Sequence, residues 1–204
     1  MRMNEDIKIS PDRSEDDATL VKGVQTGDTA AFDALVIRHK DRVFNLCYRL
    51  LGDLQDADDS AQEIFLKVFR SINRFRFEAA FSTWLYRIAV NTCKNRLKSS
   101  EYRQKKMTIS LENPGHPDTD TPPREVRDNG NSPGNHAERK ERMRQIQKAV
   151  NTLPPDQKTV VTLRDIQGFS YEEIADMTGL NLGTVKSRLS RARLSLREQL
   201  RGLL

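Results

Sequence analysis

The sequence predicts an all-α protein of two small helical domains on a flexible linker, and three observations predict it. Apolar residues recur at spacings of three and four through two long stretches. A run rich in proline and glycine separates those stretches. Apolar residues make up 36% of the 204-residue chain and charged residues 31%, a balance that suits thin helical bundles with wide solvated faces.

The elements follow in order. Residues 1–14 are polar and are expected to form a disordered tail. Ser14 and Asp17 have the spacing of a capping box ahead of Ala18, Leu20, Val21 and Val24, and Gly27 ends that short helix. A second helix begins near Thr29, carries Phe32, Leu35, Val36, Val43, Leu46, Cys47, Leu50 and Leu51 on one stripe, and stops at Gly52. A third spans about Asp56 to Ile72, with Ala57, Ala61, Ile64, Phe65, Val68, Phe69 and Ile72 inward. A fourth starts at Phe81, capped by Ser82 or a neighbour, and fades into basic residues after Leu97. Residues 15–106 therefore read as one domain.

Residues 107–135 hold Pro114, Pro117, Pro122, Pro123 and Pro133, with almost no aliphatic side chain after Leu111. Too little apolar area is available to offset the entropy of ordering, so a flexible linker is expected. The second domain, residues 136–204, opens with a helix carrying Ile146, Ala149, Val150 and Leu153, broken at Pro154-Pro155. Pro155 suits the first position of the next helix, with Val160, Val161, Leu163 and Ile166 inward and Gly168 as the stop. Ser170 and Glu173 make a capping box for a short helix that ends at Gly179, and a long basic helix follows.

Several function classes are excluded by composition. No apolar run approaches the roughly 18 residues that cross a bilayer, and the polar N-terminus has no apolar signal core, so a cytoplasmic location is expected. Cys47 and Cys93 lack metal-ligand spacing and read as small buried hydrophobes. His39, His116 and His136 are scattered, and no metal or cofactor is expected. The carboxylates between Asp53 and Glu63 have neither a histidine partner nor a phosphate loop, which argues against catalysis by this chain.

The net charge of +5 matters less than its distribution. Asp53, Asp56, Asp58, Asp59 and Glu63 form an acidic stretch without Lys or Arg. Residues 87–106 and 186–204 are strongly basic. One acidic and two basic faces suit a chain that meets both another protein and a polyanion.

The segment YEEIADMTGLNLGTVKSRLSRARLSL has the plan of a helix-turn-helix. Ala175 is small enough for a close helix crossing, Gly179 suits the turn, and Val185 and Leu189 face inward. Thr184, Lys186, Ser187, Ser190 and Arg191 then lie on the outer face, where cations meet phosphates or guanine edges and hydroxyls serve as short donors and acceptors. A stand-alone regulator would also carry such a motif. In the first domain, Phe81, Trp84 and Tyr86 stand beside Lys, Arg and Asn, the mixture that binds single strands by stacking and by following phosphates. Trp84 taken alone reads as core.

The segments DADDSAQEIFLKVF, FSTWLYRIAVNTCKNRLK and LPPDQKTVVTLRDIQGFSYEEIADMTGLNLGTVKSRLSRAR closely resemble the extracytoplasmic-function (group IV) sigma factors, over nearly the whole chain except the first dozen residues and the linker. The resemblance implies a sigma two and a sigma four domain, core RNA polymerase and promoter DNA as partners, and control by an anti-sigma factor that is often membrane-bound. It implies that Asp56, Asp59, Gln62, Glu63 and Lys67 contact the polymerase. It implies that Phe75, Phe81, Trp84, Arg87, Asn91 and Asn95 meet the melted minus-ten element, Asn91 lining a pocket for a flipped base. It further implies that Arg164, Thr184, Lys186, Ser187, Ser190 and Arg191 meet the duplex minus-thirty-five element. Relatives often carry glycine in the loop that here reads RFRFEAAFS, and a larger residue than Ser190.

Overall fold

The computed structural model describes residues 12–99 and 133–201. Of the expected tail, residues 1–14, residues 1–11 lie outside the described residues and residues 12–14 belong to a helix; of the expected linker, residues 107–132 lie outside them and residues 133–135 begin a helix. Among the described residues all regular structure is helical.

In the first unit, α1 (Asp12–Gln25) leads into α2 (Thr29–Leu51), α3 (Leu54–Ser71), a 3-10 turn (Ile72–Arg74) and α4 (Phe81–Lys98). The caps explain most of the boundaries. The Asp28 carboxylate accepts from the Ala30 and Ala31 amides, and that of Asp53 from the Asp56 amide, satisfying donors that a helix start leaves open. Gly52 takes the left-handed conformation at φ 79° and closes α2 by donating to the Tyr48 carbonyl. Two expected caps are corrected. Ser14 lies inside α1, and the Asp17 carboxylate is occupied by Arg38 and His39 of α2, so it cannot close a capping box. The cap position of α4 is Ala80, which makes no side-chain bond, and Ser82 sits in the first turn.

The second unit comprises α5 (Pro133–Asn151), α6 (Pro155–Val161), a wide π turn (Thr162–Ile166), α7 (Tyr171–Thr178) and α8 (Leu182–Gln199). The Ser170–Glu173 capping box forms in both directions, and Gly179 ends α7 at φ 71°. Asn181 caps α8 by accepting from the Thr184 amide. In the π turn the Gln167 amide donates to the Thr162 carbonyl, five residues back. The extra residue in that turn rotates Ile166, expected inward, to the surface.

α2 is the hub of the first unit and packs on α1, α3 and α4; α8 packs on α5, α6 and α7 in the second. Leu35, Val43, Leu46, Ile64 and Leu85 are buried in the first unit, and Val160, Leu163, Ile174, Val185 and Leu189 in the second. Truncating one such leucine to alanine costs about 2–5 kcal/mol. Cys47 and Cys93 are free thiols buried where α2 crosses α4, their sulfurs 3.7 Å apart. Their mutual hydrogen bond, followed by burial, pushes the Cys47 thiol well up, so it behaves as a hydrophobe.

The two units touch. α4 lies against α7, and α2 meets α5 and α6. Arg49, buried on α2, donates to the Gln147 side chain of α5 at 3.3 Å.

Candidate polymerase and nucleic-acid interfaces

α3 presents one continuous exposed stripe. Its upper part is acidic and polar, with Gln55, Asp59, Gln62 and Glu63; its lower part is apolar, with Leu66 and Phe69. Amide side chains bridge within the upper part, Gln55 to Asp59 at 3.1 Å and Gln62 to Asp58 at 2.9 Å. Of the five residues expected to contact the polymerase, Asp59, Gln62 and Glu63 lie on this stripe. Lys67 is half-buried at its edge, between Glu63 at 2.6 Å and the Thr92 hydroxyl at 3.0 Å. Asp56 faces inward, buried against the Arg96 guanidinium at 2.8 Å. That hydrogen bond raises the pKa of Arg96 above its ordinary value.

Spacing alone put Phe69 in the core and overlooked Leu66. Phe69 is half exposed, resting its ring on Phe32 with centroids 4.9 Å apart. The available signal was an apolar set on this helix too wide for one buried face.

The loop before α4 is an aromatic cluster. Phe75 lies 5.1 Å from Trp84 and 4.9 Å from Phe77, and Phe81 lies 5.9 Å from Trp84, all tilted or edge-on. Phe75 and Phe81 are buried, so among the expected minus-ten residues they support the loop from beneath. The Gln25 amide ties the loop to α1 by donating to the Ile72 and Phe75 carbonyls at 2.9 and 3.0 Å. Phe77 is the outermost ring and was not singled out from sequence. Its backbone sits at φ 59°, a region bulky residues avoid, and it is more than a third exposed. Relatives' glycine in this stretch was the available signal.

On α4, Trp84, Ile88, Asn91 and Asn95 recur every three or four residues and share one face. Asn91 and Asn95 are exposed, while Trp84 and Ile88 are half-buried beside them. Arg87 and Lys94 flank this face on the side of α7. Arg87 pairs with Asp176, and Lys94 donates to the Thr178 carbonyl at 3.4 Å. Partial burial lowers the pKa of Lys94.

The helix-turn-helix is formed by α7 and α8. Val185, Leu189 and Ala192 are buried, and Lys186, Ser187, Ser190 and Arg191 are exposed on the opposite face. Thr184 sits at the start of α8, its backbone engaged by the cap and its carbonyl accepting from Ser187 at 3.1 Å. The basic residues of α8 divide by role. Arg188 pairs with Asp156 at 3.1 Å, and Arg193 grips Asp165 at 3.0 and 2.5 Å. Lys186, Arg191 and Arg197 point outward. Arg164 donates to the Phe169 carbonyl at 2.9 Å, and its guanidinium stacks 4.8 Å from the Tyr171 ring. Lys186 approaches the same ring at 5.8 Å, so Tyr171 links the two cations.

Comparison with known proteins agrees with this arrangement. Residues 35–102 match the family model described as Sigma-70 region 2, and residues 143–196 match Sigma-70, region 4. The chain is 38% identical over 190 residues to the RNA polymerase sigma-H factor of Pseudomonas aeruginosa, covering 93% of this chain and 96% of that one. It is 40% identical over 188 residues to the ECF RNA polymerase sigma-E factor of Haemophilus influenzae, covering 92% and 97%. Among solved structures, CnrH in complex with the cytosolic domain of CnrY shares the fold at a TM-score of 0.64 and 24% identity, covering 92% of this chain and 98% of that one. The sigma factor RpoE of Bartonella quintana, in complex with the anti-sigma factor NepR, does so at 0.61 and 23%, covering 83% and 96%. With both region models matched and close relatives aligned along nearly its full length, the chain belongs to the extracytoplasmic-function family of RNA polymerase sigma factors.

Proposed function

We propose that this sigma factor, which binds core RNA polymerase and directs promoter-specific initiation, divides the work among three helices. α3 docks on the polymerase through Asp59, Gln62, Glu63, Leu66 and Phe69. α4 and the loop before it hold the unpaired minus-ten strand, with Asn91 and Asn95 reading base edges. Arg87 follows the phosphates, and Trp84 and Phe77 supply ring surface. α8 lies in the minus-thirty-five major groove and contacts it through Lys186, Ser187, Ser190 and Arg191, with Thr184 at its tip. Phe75 and Phe81 shape the loop, Asp56 anchors α3 to α4, and Arg164 positions Tyr171 beside Lys186. The polymerase performs the chemistry. The protein works in the cytoplasm, and an anti-sigma factor controls it.

The observation that carries this reading is the pair of outward faces on α4 and α8, one of amides beside aromatic rings and the other of cations and hydroxyls over a buried apolar ridge. A lone DNA-binding domain contributes modest affinity, and tethering through the polymerase multiplies it. Gel shifts on promoter fragments with and without core polymerase test this. Specific binding that needs the polymerase, and run-off transcripts with defined starts, are expected. Tight specific binding by the chain alone would overturn it in favour of a stand-alone regulator. Within the holoenzyme, Asn91→Ala is expected to reduce permanganate reactivity of the minus-ten thymines without loss of assembly.

A further inference from the structure

The edge of α4 that carries Arg87 and Lys94 faces α7, and the contacts there are polar and numerous. The Thr83 hydroxyl donates to Glu173 at 3.2 Å, Arg87 pairs with Asp176, and Lys94 donates to the Thr178 carbonyl at 3.4 Å. Residues 83, 87 and 94 fall on one side of α4. Next to them Tyr86 is buried between the units, its hydroxyl donating to the Gln167 side chain at 2.8 Å and its ring edge-on to Phe169 at 4.7 Å.

The donors come from α4 and the acceptors from the second unit. Each acceptor is placed by the second unit's own local structure. One oxygen of Glu173 closes the capping box by accepting from the Ser170 amide at 2.8 Å, which directs the other toward Thr83. Asp176 lies in the last turn of α7, where an acidic residue opposes the helix dipole and no basic residue of α7 offsets it. Arg87 and Lys94 supply the missing positive charge from α4.

We propose that α7 is an intramolecular latch in which Asp176 occupies Arg87 in place of a DNA phosphate, so that the free chain keeps the cationic edge of its minus-ten helix closed to single-stranded DNA. The inference rests on the reading of α4 as the minus-ten helix and adds its regulation. The latch covers only part of the machinery. The exposed stripe of α3 and the outer face of α8 lie outside it, as do Asn91 and Asn95. A latched chain is thus still able to meet polymerase and duplex, and the latch opens when the two units are drawn apart along the promoter.

The test uses the full chain, a short labelled single-stranded deoxyoligonucleotide read by fluorescence anisotropy, and small-angle scattering for size. Asp176→Asn keeps the shape of the side chain and removes its charge. It is expected to tighten oligonucleotide binding by about three- to five-fold, the scale of one partly exposed ion pair. Asp176→Lys, which repels Arg87, is expected to tighten it by about tenfold and to enlarge the radius of gyration, with helical circular dichroism unchanged. Arg87→Ala placed in the Asp176→Asn chain is expected to reverse the gain. If both Asp176 variants keep wild-type size and wild-type binding, no latch exists, and the reading of α4 stands so long as Arg87→Ala still weakens binding. If the variants expand but binding does not change, the edge of α4 is not where DNA lies, and both the latch and the reading beneath it fail.

Discussion

The Arg96 guanidinium, in the last turn of α4, donates to the buried Asp56 carboxylate in the first turn of α3 at 2.8 Å and reaches Asp59 at 3.2 Å. One arginine thus joins the start of α3 to the end of α4. The two acids beside it are expected to differ sharply. Asp56→Ala leaves a half-buried guanidinium short of its main acceptor and is expected to lower unfolding stability by about 1–3 kcal/mol in urea titrations. Asp59→Ala is expected to cost less than about 0.5 kcal/mol, since the Asp59 carboxylate is itself exposed to solvent, yet to weaken binding to core polymerase severalfold. Equal stability losses at the two positions would contradict this assignment.

Phe77 offers a test of backbone strain. Both Phe77→Gly and Phe77→Ala remove the ring, which lies 4.9 Å from that of Phe75, so the aromatic packing disappears equally in both. Only glycine is at ease at φ 59°. Phe77→Gly is therefore expected to be more stable than Phe77→Ala by about 1 kcal/mol, read from urea midpoints. Both are expected to open promoters more slowly than the parent.

The outer face of α8 is expected to govern minus-thirty-five use. Reversing Lys186 and Arg191 to Glu should abolish transcription from a promoter that needs that element and leave polymerase binding intact in a pull-down. Lys186→Ala alone should reduce the slope of log binding constant against log salt by about 0.9, the share of a single neutralised phosphate. An unchanged slope would place Lys186 away from the DNA backbone. By contrast, Arg193→Ala, which breaks the pair with Asp165, should act on stability before specificity.

Asp17 sets a pH dependence. Burial raises the pKa of its carboxyl, but hydrogen bonds from His39 at 2.9 Å and Arg38 at 2.8 Å outweigh that and hold it below the usual carboxylate value. A carboxylate with a depressed folded-state pKa adds stability above its unfolded pKa and loses it as pH falls through the folded one. The stability added by Asp17 is thus complete near neutrality and disappears in the acid range below about pH 4. Asp17→Asn is expected to be less stable than the parent at pH 6, with the gap narrowing at pH 3, as measured by urea midpoints at the two values.

The features legible in the amino-acid sequence are local ones. Helix starts near Thr29 and at Ser170, stops at Gly52 and Gly179, the proline break before α6 and the inward ridge of Val185 and Leu189 all depend on residues within a turn or two of one another. The family's motifs are likewise contiguous, so membership and the two helical units could be read directly. Which members of each set face outward came from packing. Asp56 and Asp59 look alike in the sequence, and both reach Arg96, 40 residues away from Asp56, but only the packing of α3 on α4 buries the first and leaves the second exposed. Phe75, Phe81 and Trp84 are alike in composition, and packing on α1 and α2 buries the first two and leaves the third at the edge. The pairing of Arg87 with Asp176, 89 residues on, has no local signature. Periodicity reports that a helix has a buried side, but charge partners and burial come from whatever that side meets, and that is set by the fold of the whole chain.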